Sequence, residues 1–256
     1  MFSSTAPIAF GLVGHCSGAL WMPSSHTAFI ADTHLGYSWA QRRRGELGPL
    51  ADFRTKEKLL QLCNELAPQR LVFLGDLVHA PRPCQPEREW IETTLNELSH
   101  RAELISVRGN HDRAFAREFG HLPLHNYESW SDGQFMAVHG DRFDFAWPED
   151  KAVLMGHLHP ALPVRDASGA GHQLPVFLAG AQCVVLPAFS PFARGYNVAC
   201  GFPQELDRCF AGADVNAFAI TGKRVVSLGP LRQAVEKMFE ADNSSPGHFR
   251  RPAPKV

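Results

Sequence analysis

Short apolar runs recur along the chain, separated by stretches in which apolar residues fall at helical spacing. Thr27 to Ala31, Arg70 to Leu74, Leu104 to Val107, Phe135 to Val138 and Ala152 to Met155 read as buried strands. Between the first two, Arg54 to Leu66 places Leu59, Leu62, Cys63 and Leu66 on one side of a helix, which predicts a crossover helix. A second helix is predicted to begin near Pro86, where proline suits the first turn, with Trp90, Ile91, Leu95 and Leu98 on one face. A short third helix is expected after Arg113. Strands alternating with helices imply an α/β architecture.

After Pro160 the pattern turns β-rich, with Val176 to Ala179, Cys183 to Leu186, Ala217 to Ile220 and Arg224 to Leu228 as strands of a second sheet packed on the first. The apolar stretch from Pro7 to Leu20 has no preceding Lys or Arg and contains His15 and several glycines, so a buried opening strand is expected rather than a signal peptide. Residues 1–240 are expected to form one domain. Beyond Glu240 the apolar periodicity stops, and a mobile tail is expected over 241–256.

Five segments carry the chemistry, each following an apolar run: Asp32-Thr33-His34, Gly75-Asp76, Gly109-Asn110-His111-Asp112, His139-Gly140-Asp141 and Gly156-His157-Leu158-His159. Open α/β sheets place ligand sites beyond the carboxyl ends of their strands, so these segments can converge on one crevice. Asp, His and Asn offer only nitrogen and oxygen donors, a set suited to Mn²⁺, Fe or Zn²⁺. Two cations about 3.5–4 Å apart neutralise an anionic phosphoester and activate water for in-line attack. Asp76, after a glycine at a strand end, can use both carboxylate oxygens and is the candidate bridge. His111 is placed to protonate the leaving oxygen. Taken singly, Asp32-Thr33-His34 or Gly75-Asp76 would read as a polar strand-end turn; the ordered set of five makes that reading improbable.

Composition changes the picture in three ways. With 256 residues, 45% of them hydrophobic, the chain can bury a sizeable core. Lys plus Arg (25) balances Asp plus Glu (26), so no whole-chain charge announces nucleic acid or an anionic membrane, and any such partner must be met locally. Arg42-Arg43-Arg44 is the obvious patch for tracking a phosphate backbone, although such a run is ordinarily a solvated face. Six cysteines without paired spacing suit a reducing cytoplasm, and no apolar run approaches transmembrane length, so no membrane is expected. His79 could contact phosphate, support a ligand or cap its loop, and Arg113 could pair with a substrate phosphate. His15, His26, His100, His121, His125, His172 and His248 are expected at the surface or in loops.

The order D-x-H, G-D, G-N-H-D, H and G-H-x-H from Asp32 to His159 resembles the signature of calcineurin-like metallophosphoesterases. That resemblance implies two packed mixed β-sheets flanked by helices. It also implies one metal held by Asp32, His34, Asp76 and His159, and a second held by Asp76, Asn110, His139 and His157, with His111 as proton donor. Trp21, Pro23, His34-Leu35-Gly36 with Arg42 and Gly45, Gly75 to His79, Gly156 to Pro160 and Leu186-Pro187-Ala188-Phe189 further resemble the bacterial DNA ligase-associated branch. Members of that branch are manganese-dependent phosphodiesterases with DNA endonuclease activity, grouped with an ATP-dependent DNA ligase, a helicase and an exonuclease in repair. Two departures stand out: Tyr37 replaces a common lysine, and Ser190 to Gly195 replaces a glycine-rich stretch. The alternatives are a small-molecule phosphoesterase, cutting a nucleotide-sugar pyrophosphate or cyclic nucleotide, and a non-catalytic scaffold. The full ligand set argues against the scaffold.

Overall fold

The computed structural model describes residues 4–46, 51–166, 168–203, 206–210 and 214–243. The single opening strand expected from Pro7 to Leu20 is instead a meander of β1 (Thr5–Pro7), β2 (Val13–His15) and β3 (Leu20–Met22). Gly11 and Gly18, with φ of 76° and 88°, turn the chain at angles that a residue without Cβ adopts cheaply. His15, expected at the surface, is buried on β2 with its Nε2 3.0 Å from the Glu65 carboxylate.

The first layers continue with β4 (Thr27–Ile30), α1 (Tyr37–Arg43), α2 (Ala51–Leu66), β5 (Arg70–Leu74), α3 (Gln85–Ser99), β6 (Glu103–Val107), α4 (Phe115–Phe119) and β7 (Leu124–Tyr127). Strands β1 to β7 form one sheet in sequence order, antiparallel as far as β4 and parallel from β4 to β7. The predicted crossover helix starts a turn earlier than expected, at Ala51. The helix predicted near Pro86 begins at Gln85, where a Cys84–Glu87 capping box closes its first turn.

A second mixed sheet contains β8 (Trp130–Ser131), β9 (Phe135–Val138), β10 (Ala152–Met155), β11 (Pro160–Arg165), β12 (Gly171–Ala179), β13 (Cys183–Val185) and β14 (Tyr196–Asn197), in the spatial order β14-β11-β12-β13-β10-β9-β8. The hairpin of β15 (Asn216–Thr221) and β16 (Arg224–Pro230) pairs with β12, and α5 (Asp207–Phe210) and α6 (Leu231–Asn243) complete the described chain. The second sheet therefore starts before Pro160: β9 and β10 run parallel to each other and to β13. The expected tail boundary at residue 241 falls inside α6, and residues 244–256 lie outside the described residues.

Alternation along the strands builds the layers. On β4 and β5, Phe29, Val72 and Leu74 face the second sheet and meet Phe135, Leu154, Phe177 and Val184 in the interior of the sandwich. Ala28, Ile30, Leu71 and Phe73 point the other way, onto Leu59, Leu62, Ile91 and Leu95 of α2 and α3. On the far side, Val153, Val185 and Ala217 pack with Leu206, Cys209 and Leu231. Strands covered on both faces read as continuous apolar runs, which is why the central ones were visible in the sequence.

The first turns of α1 and α2 cap each other. Asp52, buried, accepts from the backbone N–H of Gly36 at 2.8 Å and of Ser38 at 2.9 Å, while the Ser38 hydroxyl accepts from Ala51 N at 3.0 Å. Orphan donors at both helix starts are thereby satisfied, and α1 is fixed directly behind the D-x-H loop. Asp52→Ala should lower stability by roughly 1–3 kcal/mol, since two buried N–H groups lose a charged acceptor; urea unfolding with an unchanged m-value checks this.

Candidate metal centre

All five ligand-bearing segments leave the carboxyl ends of strands, but not of one sheet. Asp32 and His34 follow β4, Asp76 follows β5, and Asn110 and His111 follow β6, all of the first sheet. His139 follows β9, and His157 and His159 follow β10, both of the second. The sandwich brings the two groups together. Donor atoms of Asp32, His34 and His159 lie within 4.8 Å of one another, as do those of Asp76, His139 and His157. Asn110 joins the latter, its Oδ1 3.1 Å from His139 Nε2. Asp76 lies between the groups: Oδ1 is 3.5 Å from His139 Nε2 and Oδ2 is 3.8 Å from His34 Nε2.

The backbone bends unusually to aim these side chains. Asp32, His34, Asp76, His157 and His159 have φ of 56°, 46°, 48°, 63° and 51°, in the left-handed region. That conformation costs an L-residue about 1–2 kcal/mol, and it persists where surrounding contacts dictate it. Backbone pairing supplies those contacts: His34 N donates to Asp76 O at 2.9 Å, Asp32 N to Gly75 O at 3.2 Å, and His157 N to the Asp32 carboxylate at 2.9 Å. Glycines make room. A Cβ at Gly75 would overlap the His139 ring, one at Gly109 would overlap Asp76, and one at Gly156 would sit 2.7 Å from Asp32 Oδ2.

Asp112, which the sequence offered only as the end of G-N-H-D, has a structural part. Buried, it accepts from Leu77 N at 3.2 Å, Val78 N at 3.1 Å and Gly109 N at 3.0 Å, clamping the loop after β5 to the loop after β6. Burial pushes its pKa up to about 6, against three N–H bonds that favour the anion.

His111 N donates to Asp76 Oδ1 at 2.9 Å, and His111 Nδ1 donates to His79 O at 2.7 Å. The second bond fixes the tautomer and leaves Nε2 as the nitrogen facing the centre, 4.0 Å from Asp76 Oδ2. His79 stands at the edge: its Nδ1 is 3.4 Å from His34 Nδ1 and its ring stacks on His111. Burial lowers the His79 pKa to about 4, helped by His111 and by the charges of Arg44 and Arg43. Within the arginine run, Arg42 lies over the Trp39 ring at 5.5 Å, and Arg43 pairs with the buried Glu87 at 2.9 Å. Arg113 is exposed beside His111.

The donor set fits a cation. Asp32 Oδ1 and His159 Nε2 are buried and 3.2 Å apart, yet neither completes a hydrogen bond. Two such atoms converging without a shared hydrogen bond are what a bound cation would satisfy. His139 tells the same story in another way. Burial works to lower its pKa, but Asp76 and Asp32 outweigh burial and raise it to about 9, so a proton neutralises the carboxylates there.

Hard donors converging at the strand ends of a two-sheet α/β sandwich define a metal-dependent phosphoesterase. The chain belongs to the calcineurin-like phosphoesterase family, whose model matches residues 25–183. Enzymes of this family bind two divalent metals, and the His/Asp groups above are the candidate sites in this chain. The crystal structure of Pseudomonas putida nuclease MPE is similar in fold, with a TM-score of 0.63 at 22% identity over 88% of this chain and 100% of that one. No curated protein sequence matches the chain. Among the described residues no helix is long and apolar enough to cross a membrane.

Asp112→Asn should destabilise the protein by roughly 2–4 kcal/mol and lower its metal content, because an amide cannot accept three N–H bonds without turning a donor toward one of them. Urea unfolding and elemental analysis measure both effects. A cation must displace the His139 proton, so metal affinity should climb with pH toward about 9, and uptake at neutral pH should release protons. Calorimetry in buffers of different ionisation enthalpy checks this; buffer-independent heats would contradict it.

Proposed function

We propose that the chain is a dinuclear-metal phosphodiesterase that cleaves DNA, a manganese-dependent endonuclease of the DNA ligase-associated branch. The observation that carries this reading is the convergence of seven residues with nitrogen and oxygen donors, Asp76 at their middle, from the strand ends of two sheets. Asp32, His34, Asp76 and His159 would hold one cation, and Asp76, Asn110, His139 and His157 the other. Bound there, two divalent cations supply charge neutralisation and an activated water for in-line displacement. Nitrogen and oxygen ligands suit Mn²⁺ and accommodate Fe or Zn²⁺.

The chain's own residues complete the chemistry. As the imidazolium, His111 serves as general acid by giving up its Nε2 proton to the leaving oxygen, with Nδ1–H tied to the His79 carbonyl to hold the ring in place. We assign His79, beside His111 and His34, the exposed Arg113 and Arg42 of α1 to contacts with substrate phosphate. The likeness in fold to a nuclease favours a nucleic acid over a small diester, and the branch motifs favour DNA. The same branch resemblance links the activity to repair alongside an ATP-dependent DNA ligase, a helicase and an exonuclease, and six free thiols suit the cytoplasm.

Two variants separate the roles. Asp76→Ala should lose both metal and nicking of plasmid DNA, while His111→Ala should keep its metal and lose about 10²–10⁴-fold in turnover. Plasmid nicking with Mn²⁺, run beside elemental analysis and small phosphodiesters, measures this. Efficient hydrolysis of small esters with DNA left intact across salt concentrations would move the assignment to a small-molecule phosphoesterase.

A further inference from the structure

The two positions at which the chain departs from the branch pattern meet in space. The Tyr37 ring lies 6.3 Å from the Phe192 ring with 18° between their planes, and the Arg54 guanidinium sits 5.9 Å from the centre of Phe192. On its other side Tyr37 packs edge-on against His79 at 4.9 Å, and His79 touches His34. The pair therefore borders the candidate metal centre, one residue removed from its ligands. Both rings are only partly buried, so they retain surface to offer.

The backbone beside both rings is tied to the loops that bear the candidate ligands. Tyr37 opens α1, whose start is capped by Asp52. The segment bearing Phe192 is anchored by Phe189 N to Ala31 O at 2.7 Å, by Ser190 N to Asp32 O at 3.1 Å and by the Lys58 ammonium to Phe189 O at 2.7 Å. Its Arg194 carbonyl accepts from His159 Nδ1 at 3.1 Å. One backbone framework thus fixes both the ligands and the rings.

Nearly parallel aromatic rings with a guanidinium over one of them attract a flat π-faced group, and beside a phosphate-cleaving centre that group is a nucleobase. Bases inside a duplex are already stacked on their neighbours, so only an unstacked base can use such a platform. We propose that Tyr37, Phe192 and Arg54 form a subsite for the unstacked base of the nucleotide whose phosphate is cleaved. The subsite rests on the phosphodiesterase assignment made above.

The test compares kcat/KM for thymidine 5′-(p-nitrophenyl phosphate), its 3′ isomer and methyl p-nitrophenyl phosphate, which share a leaving group and differ in the nucleoside. The Mn²⁺-loaded wild type should prefer one thymidine ester by roughly five- to hundredfold, the range that stacking on an aromatic ring supports. That ratio should collapse toward one in Tyr37→Ala/Phe192→Ala and survive in Tyr37→Phe. Should the double variant fail to fold, Phe192→Ala alone reads the same ratio. Absence of a preference in the wild type, or its persistence in the alanine variants, would overturn the subsite. Failure of the metal-loaded wild type to hydrolyse any of the three esters would overturn the phosphodiesterase assignment and the subsite with it.

Discussion

Asp32 and Asp76 are 0% and 3% exposed, held out of water between the ends of the two sheets. Two buried carboxylates so close together are costly unless opposite charge or hydrogen bonds compensate them. Much of the surrounding architecture supplies that compensation. Backbone N–H groups of His111 and His157 each reach one carboxylate oxygen, and the raised pKa of His139 puts a proton between the two acids. A divalent cation would do the same work with more charge. The site is therefore a place where negative charge is concentrated in advance, and the protein is built to keep it there.

That concentration explains why the centre lies where both sheets end. One sheet offers only the loops at its own strand ends, and these give the two acids, His34 and Asn110. The imidazoles of His139, His157 and His159 arrive from the second sheet, across an interior filled by Phe29, Phe135 and Phe177. Sheet packing thus also places the candidate ligands, and left-handed residues at the strand ends help turn their side chains inward. The Tyr37 and Phe192 rings lie outside this frame, on α1 and the segment after β13.

The sequence made the central strands, the three expected helices and the ligand segments legible for one reason: each carries a strong local signal. Strands buried on both faces are unbroken apolar runs, and ligand types at strand ends follow a fixed order. Short strands such as β8 and β14, two residues each, are too brief to show a period. Helix α6 was overlooked although Leu231, Ala234, Val235 and Met238 stand at helical spacing. Strands β9 and β10 were seen but assigned to the wrong sheet, because pairing is a long-range property that local pattern does not encode. The supporting roles of Asp52 and Asp112 were invisible for the same cause: each acts on backbone groups of another segment. The neighbourhood of Tyr37 and Phe192, 155 positions apart by their numbering, exists only in the fold.

The acids that organise this region mostly grip main chain. Asp112 holds the N–H groups of Leu77, Val78 and Gly109, Asp52 those of Gly36 and Ser38, and Asp32 that of His157. Every residue except proline presents the same N–H. The scaffolding is therefore indifferent to the side chains at most of the positions it grips, and requires only the few acids and glycines themselves. Such a frame can tolerate extensive sequence drift while its strand-end loops stay in place, leaving the rim free to acquire new chemistry for different substrates.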